Sequence, residues 1–306
     1  MRSPFSNLLV CSLFLAMLGF SAHAANPIAL FHGLGDSCLF PGVNSLARKL
    51  TAGTGAYAAC VESGSFIFSW FTTMEYQSEY ACNALKSDPN FANKTIDIIG
   101  LSQGNLIARH IIQKCDFGGR VDKYISIAGP HMGVYTVPVC NSGMICDAIN
   151  WVVREFVYTT PAQYFIGPAG YFKDAKSYQS YLNSCSFLPE LNNEKDTKNE
   201  TYRQRFGSLG KVMLVMFTDD VTINPKETAW FQYYDENLTL QTMEQTKLYQ
   251  EDYIGLKTLD QSKKITKVEL PGGHLRFTDE DVQKTFIPFL GGTERPTTAL
   301  RGTIQI

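Results

Sequence analysis

The stretch from Thr95 to Asn105 constrains this chain more than any other. A β-branched apolar run, Ile96, Ile98 and Ile99, leads into Gly100-Leu-Ser-Gln-Gly104, and an amphipathic stretch carrying Leu106, Ile107, Ile111 and Ile112 begins without delay. That pattern reads as strand, sharp turn, helix. A serine raised on a strained turn at the end of a buried strand needs glycine two residues before and after it. Any side chain there would collide with the neighbouring strand or helix. The Ser102 hydroxyl is then presented at the first turn of a helix, where unpaired N–H groups and the helix dipole favour negative charge.

G-x-S-x-G between a strand and a helix is the nucleophile elbow of α/β-hydrolases, and the flanking chain agrees with it. Strands are expected at Ile28 to Phe31, Gly55 to Val61, Val121 to Ile127, Lys211 to Phe217 and Lys264 to Leu270. A helix is expected from about Thr72 to Lys86, and a last one from Asp279 to Phe289. The alternation implies an α/β-hydrolase fold, a mostly parallel sheet with helices on both faces and ligand sites at the carboxyl ends of the strands. It breaks from about 134 to 210, where prolines and aromatics crowd an irregular segment read as an inserted cap region. Its apolar stretch Ile149 to Tyr158 looks helical. Either it packs on the sheet, or it lines an acyl pocket through residues such as Val152, Phe156 and Val157.

The 306 residues and 44% hydrophobic content suffice for one large domain, 25–306. A net charge of −2 without a basic cluster argues against a nucleic-acid partner. Residues 1–24 read as a cleaved signal peptide: Arg2, an apolar run from Leu8 to Phe20, then Ala22-His-Ala24. As a helix that run reaches about 20 Å, short of a hydrocarbon core of about 30 Å, and no other stretch is apolar enough to span a membrane. Entry into the secretory pathway suits the sequons Asn93-Lys-Thr95, Asn199-Glu-Thr201 and Asn237-Leu-Thr239. It also suits the cysteines. Beyond Cys11 in the leader there are seven, at 38, 60, 82, 115, 140, 146 and 185, and an odd number leaves at least one free or intermolecular. None has C-x-x-C spacing, so structural disulfides are favoured over a metal, and no cofactor is expected.

A serine hydroxyl is a poor nucleophile until a base takes its proton. His23 falls in the leader and His110 lies within the elbow helix, pointing away from the turn. His32 and His131 sit at strand ends. His274 follows the last strand in a Gly-Gly loop before the final helix, where the chain order Ser, Asp, His puts the base. Asp219 and Asp220, after Lys211 to Phe217, are both spaced to orient it. The oxyanion needs two amide donors. The residue after the nucleophile, Gln103, supplies one, and the loop His32-Gly-Leu-Gly35 supplies the other, through Leu34.

Five segments together resemble the palmitoyl-protein thioesterases: Phe31-His-Gly-Leu-Gly-Asp-Ser-Cys38, Gly100-Leu-Ser-Gln-Gly104, Gly129-Pro-His-Met-Gly-Val134, Thr228-Ala-Trp-Phe-Gln-Tyr-Tyr234 and Gly272-Gly-His-Leu275. The resemblance runs from about residue 27 to 291. It implies a lysosomal or secreted serine hydrolase that removes long fatty acyl groups from cysteine thioesters of proteins and peptides. Carried over by position it implies a triad of Ser102, Asp220 and His274, the Leu34 and Gln103 amides as oxyanion donors, and the pairs Cys82 with Cys115 and Cys140 with Cys146. Animal members have two adjacent cysteines where Cys38 is followed by Leu39, so Cys60 and Cys185 are each open as the partner of Cys38. Asp219 also stands where an animal sequon has asparagine. The same machinery would cleave oxygen esters, which keeps a secreted lipase or carboxylesterase as the alternative enzyme. A lipid-binding glycoprotein without chemistry would have no need of a strained serine.

Overall fold

The computed structural model describes residues 25–137 and 143–291, with the side chains of 145 and 146 left aside. Its strands are β1 (Ile28–Phe31), β2 (Ala58–Cys60), β3 (Thr95–Leu101), β4 (Arg120–Ile127), β5 (Lys211–Phe217), a small hairpin of β6 (Tyr233–Tyr234) and β7 (Leu240–Gln241), and β8 (Ile265–Leu270). Six of them form one sheet in the order β2-β1-β3-β4-β5-β8, every neighbouring pair parallel. Parallel strands require crossovers, and crossover helices cover both faces, so the strands are apolar on both sides. In β3, Ile96 and Ile98 enter one core and Ile99 and Leu101 the other; in β5, Val212 and Leu214 oppose Met213, Val215 and Phe217 in the same way. This is the α/β-hydrolase architecture.

On one face lie α1 (Pro41–Thr54) and the terminal helical segment Asp279–Leu290. They approach so closely that a Cβ on Gly53 would stand 2.2 Å from Ile287 Cδ1. The other face carries α3 (Met74–Ser87), reached through the single turn α2 (Phe68–Phe71), and the elbow helix α4 (Gly104–Gln113). β2 is shorter than the expected Gly55 to Val61, because Gly55 is spent as the left-handed cap of α1, at φ 74°.

The long connection between β4 and β5 holds α5 (Met144–Phe156), α6 (Thr160–Phe165), tight 3₁₀ turns at Gly167–Tyr171 and Ala175–Ser177 and three further short α-helices, so it is less irregular than its prolines suggest. The expected apolar helix is α5, beginning a turn earlier than Ile149. The connection is anchored on α4 by Arg109. This wholly buried guanidinium donates to the Asn192 side chain at 2.7 Å and to the carbonyls of His131 and Leu191, both at 3.1 Å.

Cys82 pairs with Cys115 and Cys38 with Cys60, while Cys185 is a buried free thiol. The two bridges span 22 and 33 residues. Loops of this length give about 3 to 4 kcal/mol each in the chain-entropy account. Cys38 is thus settled on Cys60, at the end of the strand beside β1. The expected Cys140–Cys146 pair and the leader 1–24 lie outside the described residues.

Candidate active site

Ser102 sits between β3 and α4 with φ 52°, a left-handed conformation that a side-chain-bearing residue adopts only under constraint. Three glycines make the turn possible. A Cβ on Gly100 would meet the Asn105 side chain at 2.4 Å, one on Gly104 the Phe31 carbonyl oxygen at 2.3 Å, and one on Gly33 the Ser102 Cβ at 3.2 Å. Asn105 holds the turn from below, its Nδ2 donating to the Ser102 and Ile127 carbonyls at 3.1 and 2.9 Å.

His274, in the loop after β8, brings Nε2 to 2.9 Å from Ser102 Oγ, and its Nδ1 lies 2.6 Å from Asp220 Oδ2. The other oxygen of Asp220 accepts the amides of Thr222 and Ile223 at 2.9 and 3.1 Å, so the carboxylate is fixed before it meets the imidazole. Asp219, its rival by spacing, gives its amide to the Gly272 carbonyl and is exposed. With the proton on Nδ1 the ring donates to Asp220 and accepts from Ser102, an arrangement suited to drawing off the hydroxyl proton.

Gln103 follows the serine in the chain, and Leu34 follows the Gly33 that abuts it. Among the described residues, neither amide donates any of the hydrogen bonds that hold these loops. The side chain of Gln103 is buried and clamped: Nε2 donates to Gln77 Oε1 at 2.9 Å and Oε1 accepts from the Tyr171 hydroxyl at 3.0 Å. Gln77 donates to the Ser69 carbonyl at 3.1 Å, and Ser69 Oγ accepts the Gly35 amide at 2.7 Å. One buried network therefore holds the loops carrying Leu34 and Gln103. Nothing in the sequence marked Ser69, Gln77 or Tyr171, because the network joins segments that only the fold brings together.

His32 works on the same loop. It is buried, with Nδ1 3.0 Å from the Gly33 carbonyl and Nε2 2.7 Å from Glu62. Only the imidazolium donates to both acceptors. Burial opposes that charge, yet the Glu62 and Gly33 hydrogen bonds outweigh it and raise the His32 pKa above its usual 6.5. Glu62, despite burial that works the other way, is lowered from 4.5 to about 2 by His32 and by the Cys38 and Ser37 donors. The histidine's contribution is full below 6.5 and fades as pH rises through its raised value; the glutamate's is present above 4.5 and is lost only as pH falls towards about 2. Both are complete from 4.5 to 6.5. Glu62→Gln should therefore lower the melting temperature more at about pH 5.5 than at about pH 9. An equal drop at both would refute the ion pair.

The remaining described histidines are packed. His131 stacks on Phe231 with ring centroids 4.2 Å apart, bonds Ser126 Oγ at 2.7 Å, and is held neutral by burial and by nearby Arg109. His110 is buried, its Nε2 3.1 Å from Glu79. Among the described residues, two clusters gather ligand-type groups, His32-Cys38-Glu62 and Glu75-Glu79-His110. The sulfur of the first is spent in a disulfide, and Lys114 already sits 2.8 Å from Glu75 in the second. On α5, Val152 and Phe156 are exposed, and Val157, just past its end, is buried. Asn93, Asn199 and Asn237 are all exposed, and Asn199 caps the helix Glu200–Gly207 by accepting the Thr201 amide.

Residues 27–274 match a family model described as palmitoyl protein thioesterase. "Palmitoyl-protein thioesterase 3" of Dictyostelium discoideum is 33% identical over 270 residues, 87% of this chain and 89% of its own length. "Lysosomal thioesterase PPT2-B" of Xenopus laevis is 30% identical over 254 residues, 80% of this chain and 85% of its own. Among solved structures, a Paleococcus ferrophilus monoacylglycerol lipase aligns over 87% of this chain and 95% of its own with a TM-score of 0.46 at 12% identity.

Proposed function

Because the chain belongs to the palmitoyl-protein thioesterase family, we propose that it hydrolyses long-chain acyl thioesters on cysteines of proteins and peptides through an acyl-enzyme on Ser102. Ser102 Oγ attacks the thioester carbonyl as its proton passes to His274 Nε2, and Asp220 steadies the imidazolium. The negative charge that develops on the carbonyl oxygen is met by the Leu34 and Gln103 amides. The carbon–sulfur bond breaks and the cysteine thiol leaves with the proton from His274. Water, deprotonated by the same imidazole, then attacks the acyl-serine, and the fatty acid leaves as Ser102 recovers its proton.

The observation that supports this reading is the continuous line from Ser102 through His274 to Asp220, at 2.9 and 2.6 Å, at the carboxyl end of the sheet. The proposed setting is the secretory pathway and the lysosome. The paired cysteines, three exposed sequons and the relative named as a lysosomal thioesterase favour it, as does a His32–Glu62 clamp complete at mildly acidic pH. The acyl chain is proposed to run along α5, past Val152, Phe156 and Val157.

Matched S-acyl and O-acyl substrates over a chain-length series test the reaction and the acyl site together. The thioester should be preferred, and C16 over C8, each buried methylene contributing at most about 0.8 kcal/mol. Phe156→Asp should depress kcat/KM for C16 far more than for C8. Preference for the oxygen ester would make the chain a carboxylesterase. Equal losses for both lengths, with a lowered melting temperature, would remove the acyl chain from α5 and leave the hydrolase chemistry standing.

A further inference from the structure

Exposed large apolar side chains occur along α5, at Met144, Trp151 and Phe156 among others, and gather without charged neighbours in sequence in two further segments. One is the turn leading into α3, where Phe66, Phe68 and Phe71 are 57%, 60% and 60% exposed; the other is the end of α6, where Tyr164, Phe165 and Ile166 are 69%, 62% and 43% exposed. No charged residue occurs in 63–74 or in 156–172. The two segments touch: Gly167 is packed so that a Cβ there would lie 2.7 Å from the Ser69 carbonyl oxygen and 2.9 Å from that of Thr72.

This exposure is built into the turn. Beneath the phenylalanines the buried side is polar, with Ser69 and Gln77 fully enclosed and Gln77 donating to the carbonyls of Ser69 and Thr72 at 3.1 and 2.9 Å. A turn that keeps its polar side inward and its aromatic side outward has its apolar partner outside the molecule. The surface also begins at the mouth of the site. The Trp70 indole nitrogen would stand 3.2 Å from a Cβ on Gly35, and Ser69 Oγ holds the Gly35 amide.

We infer that this surface docks on the interfacial zone of a phospholipid bilayer, setting Ser102 beside the membrane that holds the substrate's acyl chain. The docking itself stands on the exposed segments; its use to the enzyme rests on the thioesterase reading. Phenylalanine, tryptophan, tyrosine and isoleucine in segments that carry no charge of their own suit the headgroup and acyl boundary of a zwitterionic membrane. A second copy seated here would close the mouth against a protein substrate. A single acyl chain fills a groove and leaves two outward-facing segments uncovered. Among the described residues no helix is long and apolar enough to cross a membrane, so the contact is one of surface.

Co-sedimentation of the protein with phosphatidylcholine vesicles tests the contact. The wild type should partition onto the vesicles with little dependence on salt, since no charge takes part. The triple variant Phe68→Ser, Phe71→Ser, Phe165→Ser should bind at least about tenfold more weakly. It should keep its melting temperature and its turnover of a short-chain thioester in solution, and lose turnover of a palmitoylated peptide embedded in vesicles. A wild type left in the supernatant overturns the inference, as does a variant that partitions equally. Concentration-dependent self-association abolished by the variant, without vesicle binding, would assign the surface to a second copy instead. Sedimentation needs no turnover, so failure of the thioesterase reading and failure of the docking are read separately.

Discussion

Ser102→Ala is expected to lower turnover by about a millionfold and to abolish labelling by a serine-directed phosphonate, with the melting temperature close to that of the wild type. The size follows from the role proposed for the hydroxyl: without it no acyl-enzyme would form, and only water attack assisted by the proposed oxyanion donors would remain. The fold should survive, because Ser102 is held by its backbone and by Asn105, its amide reaching the Ile127 carbonyl at 2.9 Å and its carbonyl accepting Asn105 Nδ2 at 3.1 Å. His274→Ala and Asp220→Ala should each cost several orders of magnitude, and combined with Ser102→Ala they should add almost nothing, since the three groups act as a unit. Asp219→Ala, at an exposed side chain, is expected to leave activity within about twofold of the wild type. Labelling that survives Ser102→Ala would move the nucleophile elsewhere, and a damaging Asp219→Ala beside a mild Asp220→Ala would move the carboxylate.

The elbow is legible in the sequence because its demands are local. Glycines at 100 and 104 answer steric needs set by adjacent residues, and the change from strand to helix periodicity happens within ten positions. The choice between Asp219 and Asp220 is different in kind. Both follow β5, and the structure separates them through the Gly272 carbonyl, which takes the Asp219 amide, while Asp220 faces His274. His274 lies in the loop after β8, 54 residues further on than Asp220, so no local pattern fixes that meeting. The pairing of Cys38 is equally non-local. Cys60 becomes its partner because β2 lies beside β1 at the sheet edge, with Leu30 in register with Cys60.

Helix α1 is absent from the sequence expectations for a compositional reason. Its second half, Leu50-Thr-Ala-Gly-Thr54, is rich in small and β-branched residues, which blurs the apolar period that Val43, Leu46, Ala47 and Leu50 carry. Tertiary packing against the terminal helix makes up the difference, with Gly53 allowing the contact that larger residues would forbid. The His32–Glu62 pair shows the same limit. His32 stands out at a strand end, yet its task is visible only when Glu62, thirty residues on, supplies the acceptor that makes the imidazolium the favoured form.

Gly104→Ala is expected to be the most damaging substitution outside the triad. In a helix, alanine for glycine ordinarily stabilises by about 1 kcal/mol. Here the added methyl would lie 2.3 Å from the Phe31 carbonyl oxygen, 2.5 Å from that of His32 and 2.7 Å from the Phe31 carbonyl carbon. These are backbone atoms at the end of β1, tied into the sheet on both sides by β2 and β3, and no side-chain rotation relieves the clash. Either α4 moves off β1 or the β1 end bends, and both routes displace the His32-Gly-Leu-Gly35 loop relative to Ser102. A net loss of roughly 1 to 3 kcal/mol follows for overpacking of this kind. A shift near 1 Å between serine and oxyanion donors lowers turnover by about a hundredfold more than KM changes. Gly207→Ala is the matching control, in a helix where the new methyl meets nothing nearer than 3.4 Å. It should keep full activity and a melting temperature at or above that of the wild type. The readouts are the melting temperature and the phosphonate labelling rate. A Gly104→Ala protein that matched Gly207→Ala in both would show that the elbow tolerates a side chain there, and that the close approach of α4 to β1 does not position the oxyanion loop.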